Sequence, residues 1–358
     1  MPGLDGLRAF AVLAVVWHHA HPGFDGIWLT RHGFLGVDLF FVLSGLLITT
    51  LLLRERERFG TISLKNFYMR RALRIFPLYY AVLFVLAIYF GAARESAQAE
   101  AFMSELPWHA AYLSNWVEVH SMMSISWSLS AEEQFYLLWP PLLVWLGLQK
   151  GLALLVAFLV VNQAVNFGLF DPILADLGVH YDELHMLQAT FTPILLGVLL
   201  AAALHNNVWR RRLMTFAHTI APWLLVVLLL LLMSWPGDVR GAPRLGIHVL
   251  MTMLLAAVVL QPQHRLVRWL EWRPLVWVGT VSYGVYLLHM IGLDIARRAL
   301  QRVGAAAPEM LFVVGLAVTL VLAGLSYRWF ESWFLRHKSR FAGASGVRAT
   351  VATAARKG

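Results

Sequence analysis

The sequence predicts an all-α, polytopic integral membrane protein with about ten transmembrane helices. The first observation is composition: of 358 residues, 59% are hydrophobic and 14% are charged, and the mean hydropathy is +0.65. A soluble domain of this length needs a smaller apolar fraction to bury a core. The second is that apolar stretches of about 20 residues, the length that crosses a bilayer as a helix, recur along the chain. The third is that basic residues cluster between these stretches.

Each predicted span is a mostly apolar run. The first is short, and the fourth and ninth contain polar residues, which indicates that those spans line a protein interior rather than lipid. In chain order the predicted spans are 6–20, 34–53, 75–91, 127–147, 151–168, 186–204, 219–235, 245–261, 275–295 and 309–330. We predict that they form one membrane domain, residues 1–335, and that residues 336–358 are a disordered basic tail.

The Lys and Arg residues indicate that both termini lie in the cytoplasm. With the N-terminus inside, most of the 29 basic residues fall in inner segments, including 54–74, 210–212, 264–273 and the tail from Arg336. This asymmetry follows the positive-inside rule. The segment 296–302 would place three arginines outside, and we expect it to form an amphipathic interfacial helix.

Several classes of function are excluded or disfavoured. The chain has no cysteine, which rules out disulfides and cysteine-ligated metals. The motifs HExxH and GxxxxGK[ST] are absent, so we predict no metal site and no Walker-type nucleotide site. The net charge of +9 could suggest nucleic acid, but membrane topology explains basic residues between spans better.

The first predicted span carries ionisable residues at both ends. Arg8 and His19 are eleven residues apart, which on a helix returns to nearly the same face about 16 Å further along the axis. Arg8 would lie near the cytoplasmic side and His19 in the outer half. Alternatively, Arg8 extends to the inner headgroups and the histidines of this region sit at the outer interface.

Three other spans bring polar groups to the same outer level. Asp38 lies near the outer end of the second span. In the fourth, Glu132 and Tyr136 are four residues apart and share a helical face. The ninth carries a stripe spaced by four and three residues, formed by Ser282, Tyr286 and His289. Because ionisable groups inside spans are costly, they usually pair or line a pathway.

A complementary cationic cluster precedes the third span. Arg70, Arg71 and Arg74 fall within one helical turn, at a depth similar to that of Arg8. Guanidinium groups suit phosphate recognition. The alternative is plain positive-inside anchoring.

The predicted phosphate-binding groups lie near the cytoplasm, and the histidine lies half a bilayer further out. This separation predicts a long, thin group donor with an anionic head. Acyl-coenzyme A has this shape, and we expect it as a co-substrate, with no permanently bound cofactor. His19 would act as a general base on an acceptor hydroxyl, or carry the acyl group briefly. Glu132 and Asp38 are candidates to orient the ring and stabilise its cation. Tyr136, Ser282, Tyr286 and His289 are candidate substrate-binding residues.

Five motifs, in this order, are similar to those of the membrane acyltransferases of family three, the O-antigen and exopolysaccharide O-acetylase type. They are "GLDGLRAFAVLAVVWHHA", "GFLGVDLFFVLSGLLIT", "RRALRIFPLYY", "WSLSAEEQFYLLWP" and "SYGVYLLH", and they cover positions 3 to 289. The family's Arg-x10-His pair falls on Arg8 and His19. Its arginine motif falls on Arg70, Arg71 and Arg74. Its glutamate falls on Glu132, with Glu133 as a second carboxylate.

The resemblance implies a ten-span domain that moves acyl groups, usually acetyl, from cytoplasmic acyl-CoA to a hydroxyl of a glycan, a lipid-linked sugar or a small molecule. Separately, the absence of cysteine and the Arg- and Ala-rich composition are compatible with a bacterial cytoplasmic membrane. Some relatives carry a C-terminal hydrolase-like domain outside the membrane. This chain shows none after its tenth predicted span, so we expect direct transfer or a partner from glycan assembly.

Two other interpretations fit the polar layer less well. A transporter or flippase of a lipid-linked sugar intermediate would use it as a pathway, since histidines and carboxylates within spans suit proton relays. Transporters often show inverted repeats, and none is evident in this sequence. A purely structural membrane scaffold leaves the polar groups unexplained.

Overall fold

The computed structural model describes residues 1–21, 32–92, 96–180, 185, 188, 190–219, 222–234, 239–305 and 307–341. Within these ranges every regular element is a helix. The α-helices are α1 (Leu4–Ala20), α2 (Gly36–Phe59), α3 (Leu64–Ala92), α4 (Ala97–Ala110), α5 (Ser126–Asn166), α6 (Asp171–Asp176), α7 (Phe191–His205), α8 (Asn207–Thr219), α9 (Pro222–Met233), α10 (Ala242–Leu260), α11 (Arg265–Leu270), α12 (Arg273–Thr280), α13 (Ser282–Arg302), α14 (Pro308–Leu325) and α15 (Ser332–His337). Short 3-10 segments cover Gly33–Leu35 and Lys338–Phe341, and a π-helical turn covers Ser326–Glu331.

The all-α, polytopic membrane fold predicted from the sequence is confirmed. By length and apolar composition, five helical segments of the described chain can cross a membrane alone, and up to seven can do so if each of two bent helix pairs counts as one span. The five are Gly33–Phe59, Leu64–Ala92, Ser126–Asn166, Ala242–Leu260 and Pro308–His337. Each of the ten predicted ranges contains a helix, although α1 and α9 have only 17 and 12 residues.

Several predicted boundaries differ from the structure because helices bend or continue. The fourth and fifth predicted spans lie in α5, which kinks at Gly147, where φ is 72°. L-residues with side chains rarely adopt this conformation, whereas glycine does so readily. The ninth predicted span is a pair, α12 and α13, bent by 76°. Residues 296–302 continue α13 rather than forming a separate interfacial helix.

Helix α2 lies at the centre of the described chain. Its residues contribute to two hydrophobic clusters, one shared with α3, α5 and α13, and the other shared with α7, α9 and α10. The buried Trp139 of α5 donates its Nε1–H to Thr49 Oγ1 of α2 at 2.9 Å. This position gives α2 contacts with the helices that carry most of the predicted site residues.

Two glycines allow α2 and α7 to pack with their backbones in contact. A Cβ atom added at Gly45 would lie 2.0 Å from the Ile194 carbonyl oxygen, and one at Gly197 would lie 2.2 Å from the Val42 carbonyl oxygen. Both obstructing atoms are backbone, so no side-chain rotation relieves the clash. The close approach therefore depends on the absence of a side chain at these positions.

We expect Gly45→Ala and Gly197→Ala each to lower the free energy of unfolding by about 1–3 kcal/mol, the usual cost of overpacking. Thermal unfolding in detergent measures the effect. Gly91→Ala in α3 is the matched control, because an added Cβ there meets no atom within 4 Å and alanine favours a helix over glycine. If all three variants unfolded at the wild-type temperature, the close α2–α7 packing would be wrong.

Candidate active site

One cavity of about 270 Å³ opens among helices α1, α2, α3, α5 and α13. It brings together eight of the residues predicted from the sequence to bind donor or substrate or to take part in catalysis. Those lining it are Arg8, Arg70, Arg71, Arg74, Glu132, Tyr136, Ser282 and Tyr286. They come from four separate helices, so their convergence is a result of the tertiary fold and not of local spacing.

Positive charge is concentrated along one part of the lining. Arg70, Arg71 and Arg74 project from one turn of α3, as their spacing predicts, and Arg8 joins them from α1. The Arg71 guanidinium stacks over the Tyr136 ring at 4.5 Å from its centroid. Planar guanidinium groups can contact phosphate through two parallel hydrogen bonds. The arrangement can therefore bind a polyanionic group.

A fifth cation, Lys338, lines the same cavity. Burial, together with the charges of Arg74, Arg71 and other nearby arginines, lowers the Lys338 pKa to about 8. An ammonium group loses its proton more easily where water is excluded and like charges are near. Burial makes the larger contribution to this shift, and the nearby arginines lower the pKa further.

Glu132 and Tyr136 share one face of α5, as predicted, and both bind Ser44 of α2. The Tyr136 hydroxyl donates to Ser44 Oγ at 2.9 Å, and Ser44 Oγ donates to the Glu132 carboxylate. Glu132 interacts electrostatically with Arg71 and Arg8. Glu132 thus belongs to the cationic cavity, where it partly balances the arginines.

His19 contacts a second histidine rather than a carboxylate. Its Nδ1 lies 2.9 Å from the Val15 carbonyl oxygen and 3.3 Å from Nε2 of the buried His289. Because a carbonyl only accepts, the proton of a neutral His19 ring lies on Nδ1. This leaves Nε2 as the basic nitrogen of His19, with the ring orientation fixed by two partners.

Neither His19 nor His289 lines the cavity, but Tyr286, which does, contacts His289. The Nδ1 of His289 donates to the Tyr286 carbonyl oxygen, and the two rings lie 5.7 Å apart, centroid to centroid. Tyr286 itself lines the cavity and shares a 2.6 Å hydrogen bond with Ser128 of α5. Ser282, Tyr286 and His289 therefore form one continuous stripe from the cavity to His19.

Asp38 does not join this group, in contrast to its predicted role beside His19. Its carboxylate is buried and binds the Arg244 guanidinium at 3.0 Å and His248 Nε2 at 2.9 Å, both from α10. A buried carboxylate needs a charged or hydrogen-bonding partner nearby, and α10 supplies both. The geometry assigns Asp38 to the α2–α10 contact and not to the ring of His19.

Arg70 also differs from its prediction as a simple donor ligand. Its Nη2 binds Glu55 at 2.9 Å, and its Nη1 donates to the Phe341 carbonyl oxygen at 2.6 Å. The guanidinium thus already has protein partners on both sides, while the side chain still lines the cavity.

Sequence reasoning missed four polar lining residues. Ser44, Ser128, Tyr283 and Lys338 reach the cavity. Ser44 and Ser128 lie inside motifs already singled out, and Tyr283 is next to Ser282, so neighbouring positions could have suggested them. Lys338 falls within residues 336–358, the predicted disordered tail. In the structure residues 338–341 form a 3-10 turn, and residues 342–358 lie outside the described residues.

A hydrogen-bonded network of a serine, a histidine and a glutamate, which the sequence did not predict, lies outside the cavity lining. The Ser126 hydroxyl lies 2.8 Å from His109 Nδ1, and His109 Nε2 lies 3.3 Å from Glu105. All three side chains are buried. Burial alone would raise the Glu105 pKa, but hydrogen bonds from His120, Ser121 and His109 outweigh it and hold that pKa below its usual value. This buried network holds the loop that precedes α5 and does not expose a nucleophile.

A family model and the curated relatives both identify this chain as similar to acyltransferases. The family model described as an acyltransferase domain matches residues 1–328. A Staphylococcus aureus (strain MSSA476) protein, provisionally named an O-acetyltransferase, is 31% identical over 356 residues, covering 93% of this chain and 57% of its own length. YrhL of Bacillus subtilis (strain 168), provisionally named a peptidoglycan O-acetyltransferase, is 31% identical over 361 residues, covering 92% of this chain and 54% of its own.

The peptidoglycan O-acetyltransferase OatA of Listeria monocytogenes is 30% identical over 360 residues, which cover 93% of this chain and 55% of OatA. This chain therefore spans about half the length of the curated relatives it matches. No solved structure matches it. Since the family model covers nearly all of the described helices, the chain belongs to the acyltransferase family defined by that domain.

Proposed function

We propose that this protein is an integral membrane O-acyltransferase that moves an acetyl group from acetyl-CoA to a hydroxyl of a glycan. The observation that carries the proposal is a cavity lined by a cluster of arginines and by Tyr286, whose ring lies beside His289 of the His289–His19 pair. The matching acyltransferase family supports the reaction class.

The cationic part of the cavity suits the phosphates of coenzyme A. Arg71 and Arg74 come from one turn of α3 and Arg8 comes from α1, so they present donors from two directions. Within α1, Arg8 and His19 are separated by about 16 Å along the helix axis. A donor must therefore have a narrow arm between its anionic head and its reactive end, as the pantetheine thioester has.

His19 would then act as the general base. As the acceptor hydroxyl oxygen attacks the thioester carbonyl, its proton passes to His19 Nε2, and a C–O bond forms. Collapse of the tetrahedral intermediate breaks the C–S bond, and the thiolate of coenzyme A takes the proton back from the imidazolium. The Val15 carbonyl and His289 Nε2, both of which accept from Nδ1–H, would keep His19 in the required tautomer, a role that a carboxylate fills in many hydrolases.

The acceptor class and the orientation extend the proposal. The names of the Bacillus and Listeria relatives specify peptidoglycan, so a cell-wall or surface glycan is the acceptor class we test first. We propose a bacterial cytoplasmic membrane location with both termini in the cytoplasm. The cations would then face the coenzyme A supply, and His19 would face the outer half of the bilayer.

A transporter or flippase would use the same polar groups as a passage, without breaking the thioester. Incubating purified protein with acetyl-CoA labelled in the acetyl group separates the two. An acyltransferase moves the label to a sugar hydroxyl and releases free thiol, whereas a transporter does neither.

We expect His19→Ala to lower the rate of acetyl transfer by about 10²–10⁴-fold, because the general base is lost. Free thiol released from acetyl-CoA in the presence of a soluble glycan acceptor measures the rate. His120→Ala is the control, since His120 is exposed in the loop before α5. A folded His19→Ala protein with wild-type activity would rule out the mechanism.

We expect Arg71→Gln to raise the KM for acetyl-CoA by about tenfold or more with a smaller change in the KM for the glycan, because a charge-assisted contact to phosphate is lost. Initial rates with each substrate varied in turn give both constants. Arg56→Gln, on the exposed end of α2, should change neither. Equal effects of Arg71→Gln on the two constants would argue against a phosphate role.

A further inference from the structure

The segment that follows the last span, Lys338–Phe341, packs against α3 at the cationic part of the cavity. Its Phe341 carbonyl accepts the hydrogen bond from Arg70. Arg70 also binds Glu55 of α2, whose carboxylate accepts the Ser63 backbone N–H at 3.0 Å. One guanidinium therefore ties together α2, α3 and this C-terminal segment.

Arg70 is better suited to position its neighbours than to bind a ligand. Its two terminal nitrogens already contact a carboxylate and a carbonyl, so a phosphate would have to compete with both. Lys338 differs, because its side chain lines the cavity beside Arg8, Arg71 and Arg74. The segment held by Arg70 thus delivers an additional ammonium group to the cavity.

The surroundings of Lys338 favour an anionic ligand. The half-buried ammonium of Lys338 lies among four arginines. Burial is the larger cause that lowers its pKa to about 8, and the charges of the arginines add to the effect. Other titratable groups at this cavity or on the elements around it are Asp5, which binds Arg8 at 2.9 Å, and Glu55, Glu132, Glu133, Tyr136, Tyr283, Tyr286 and Glu331. Glu55 is engaged by Arg70, and Glu132 is bound by Ser44. A bound polyanion would relieve the repulsion that these cations otherwise share.

We propose that Lys338 is a donor-binding residue whose ammonium contacts a phosphate of acyl-CoA, and that Arg70 is a positioning residue that holds Lys338 in place through the Phe341 carbonyl. This inference rests on the proposed function, because it names a further contact for the same donor.

The test uses the full-length protein in detergent and a non-hydrolysable thioether analogue of acetyl-CoA, with Kd measured by calorimetry. Lys338→Met, which keeps length and removes charge, should weaken binding by about tenfold, the usual loss for a hydrogen bond to a charged group. Lys338→Arg should bind within about twofold to threefold of wild type. Arg340→Met is the matched control, because Arg340 lies in the same turn and is exposed.

A double-mutant cycle tests the positioning role of Arg70. If Arg70 acts through Lys338, Arg70→Met should weaken binding in the wild-type background and add little in the Lys338→Met background. Additive losses would mean that Arg70 contacts the donor independently, which would overturn the positioning role.

The pH dependence of wild-type binding does not depend on any variant folding. A lysine with a lowered pKa is charged below that value and neutral above it. The Kd of the analogue should therefore rise as the pH increases through about 8, where its phosphates are already ionised. Lys338→Arg should remove this rise, because arginine stays protonated.

The outcomes separate this inference from the proposed function. If wild-type protein failed to bind the analogue, the donor assignment itself would be wrong. If wild type bound it, and Lys338→Met bound equally well with no change in the pH profile, only the role of Lys338 would be overturned.

Discussion

Mutual repulsion among like charges is the constraint on which this site depends. Arg8, Arg70, Arg71, Arg74 and Lys338 line one cavity formed by apolar helices, where water screens their charges poorly. Glu55 and Glu132 offset part of this charge. The repulsion within such a cluster lowers the stability of the folded protein, and a bound anionic ligand would reduce that repulsion. This electrostatic imbalance is the physical basis of the proposed donor-binding role.

The packing of α2 explains how a polar side chain of this helix reaches the charged cavity. Gly45 lets α2 lie directly against α7, and Asp38 binds Arg244 and His248 of α10. With α2 held on that side, its other face supplies Ser44 to the cavity between Glu132 and Tyr136. Asp38 thus supports the scaffold from which the reactive groups project.

The spacing of residues in the sequence predicted which side chains share a face of one helix. The arginines of α3, the Glu132–Tyr136 pair and the stripe ending at His289 lie on the faces that their sequence intervals require. Contacts between distant segments were not predictable in this way. The partner of Asp38 lies more than 200 positions away in α10. Lys338 lines the cavity from a segment whose Phe341 carbonyl accepts a hydrogen bond from Arg70 of α3. The bend within the ninth predicted span and the kink of α5 at Gly147 interrupt apolar runs that read as continuous.

The central claim is that one extended donor lies with its phosphates at the arginines and its thioester at His19. A cryo-electron microscopy structure of the full chain with the thioether analogue of acetyl-CoA tests it most directly. We predict phosphate density against Arg71 and Arg74. The acetyl carbonyl carbon should lie within about 4 Å of His19 Nε2, with room beside it for an attacking hydroxyl. Analogue bound in the opposite direction, or with its acetyl group away from the His19–His289 pair, would contradict it.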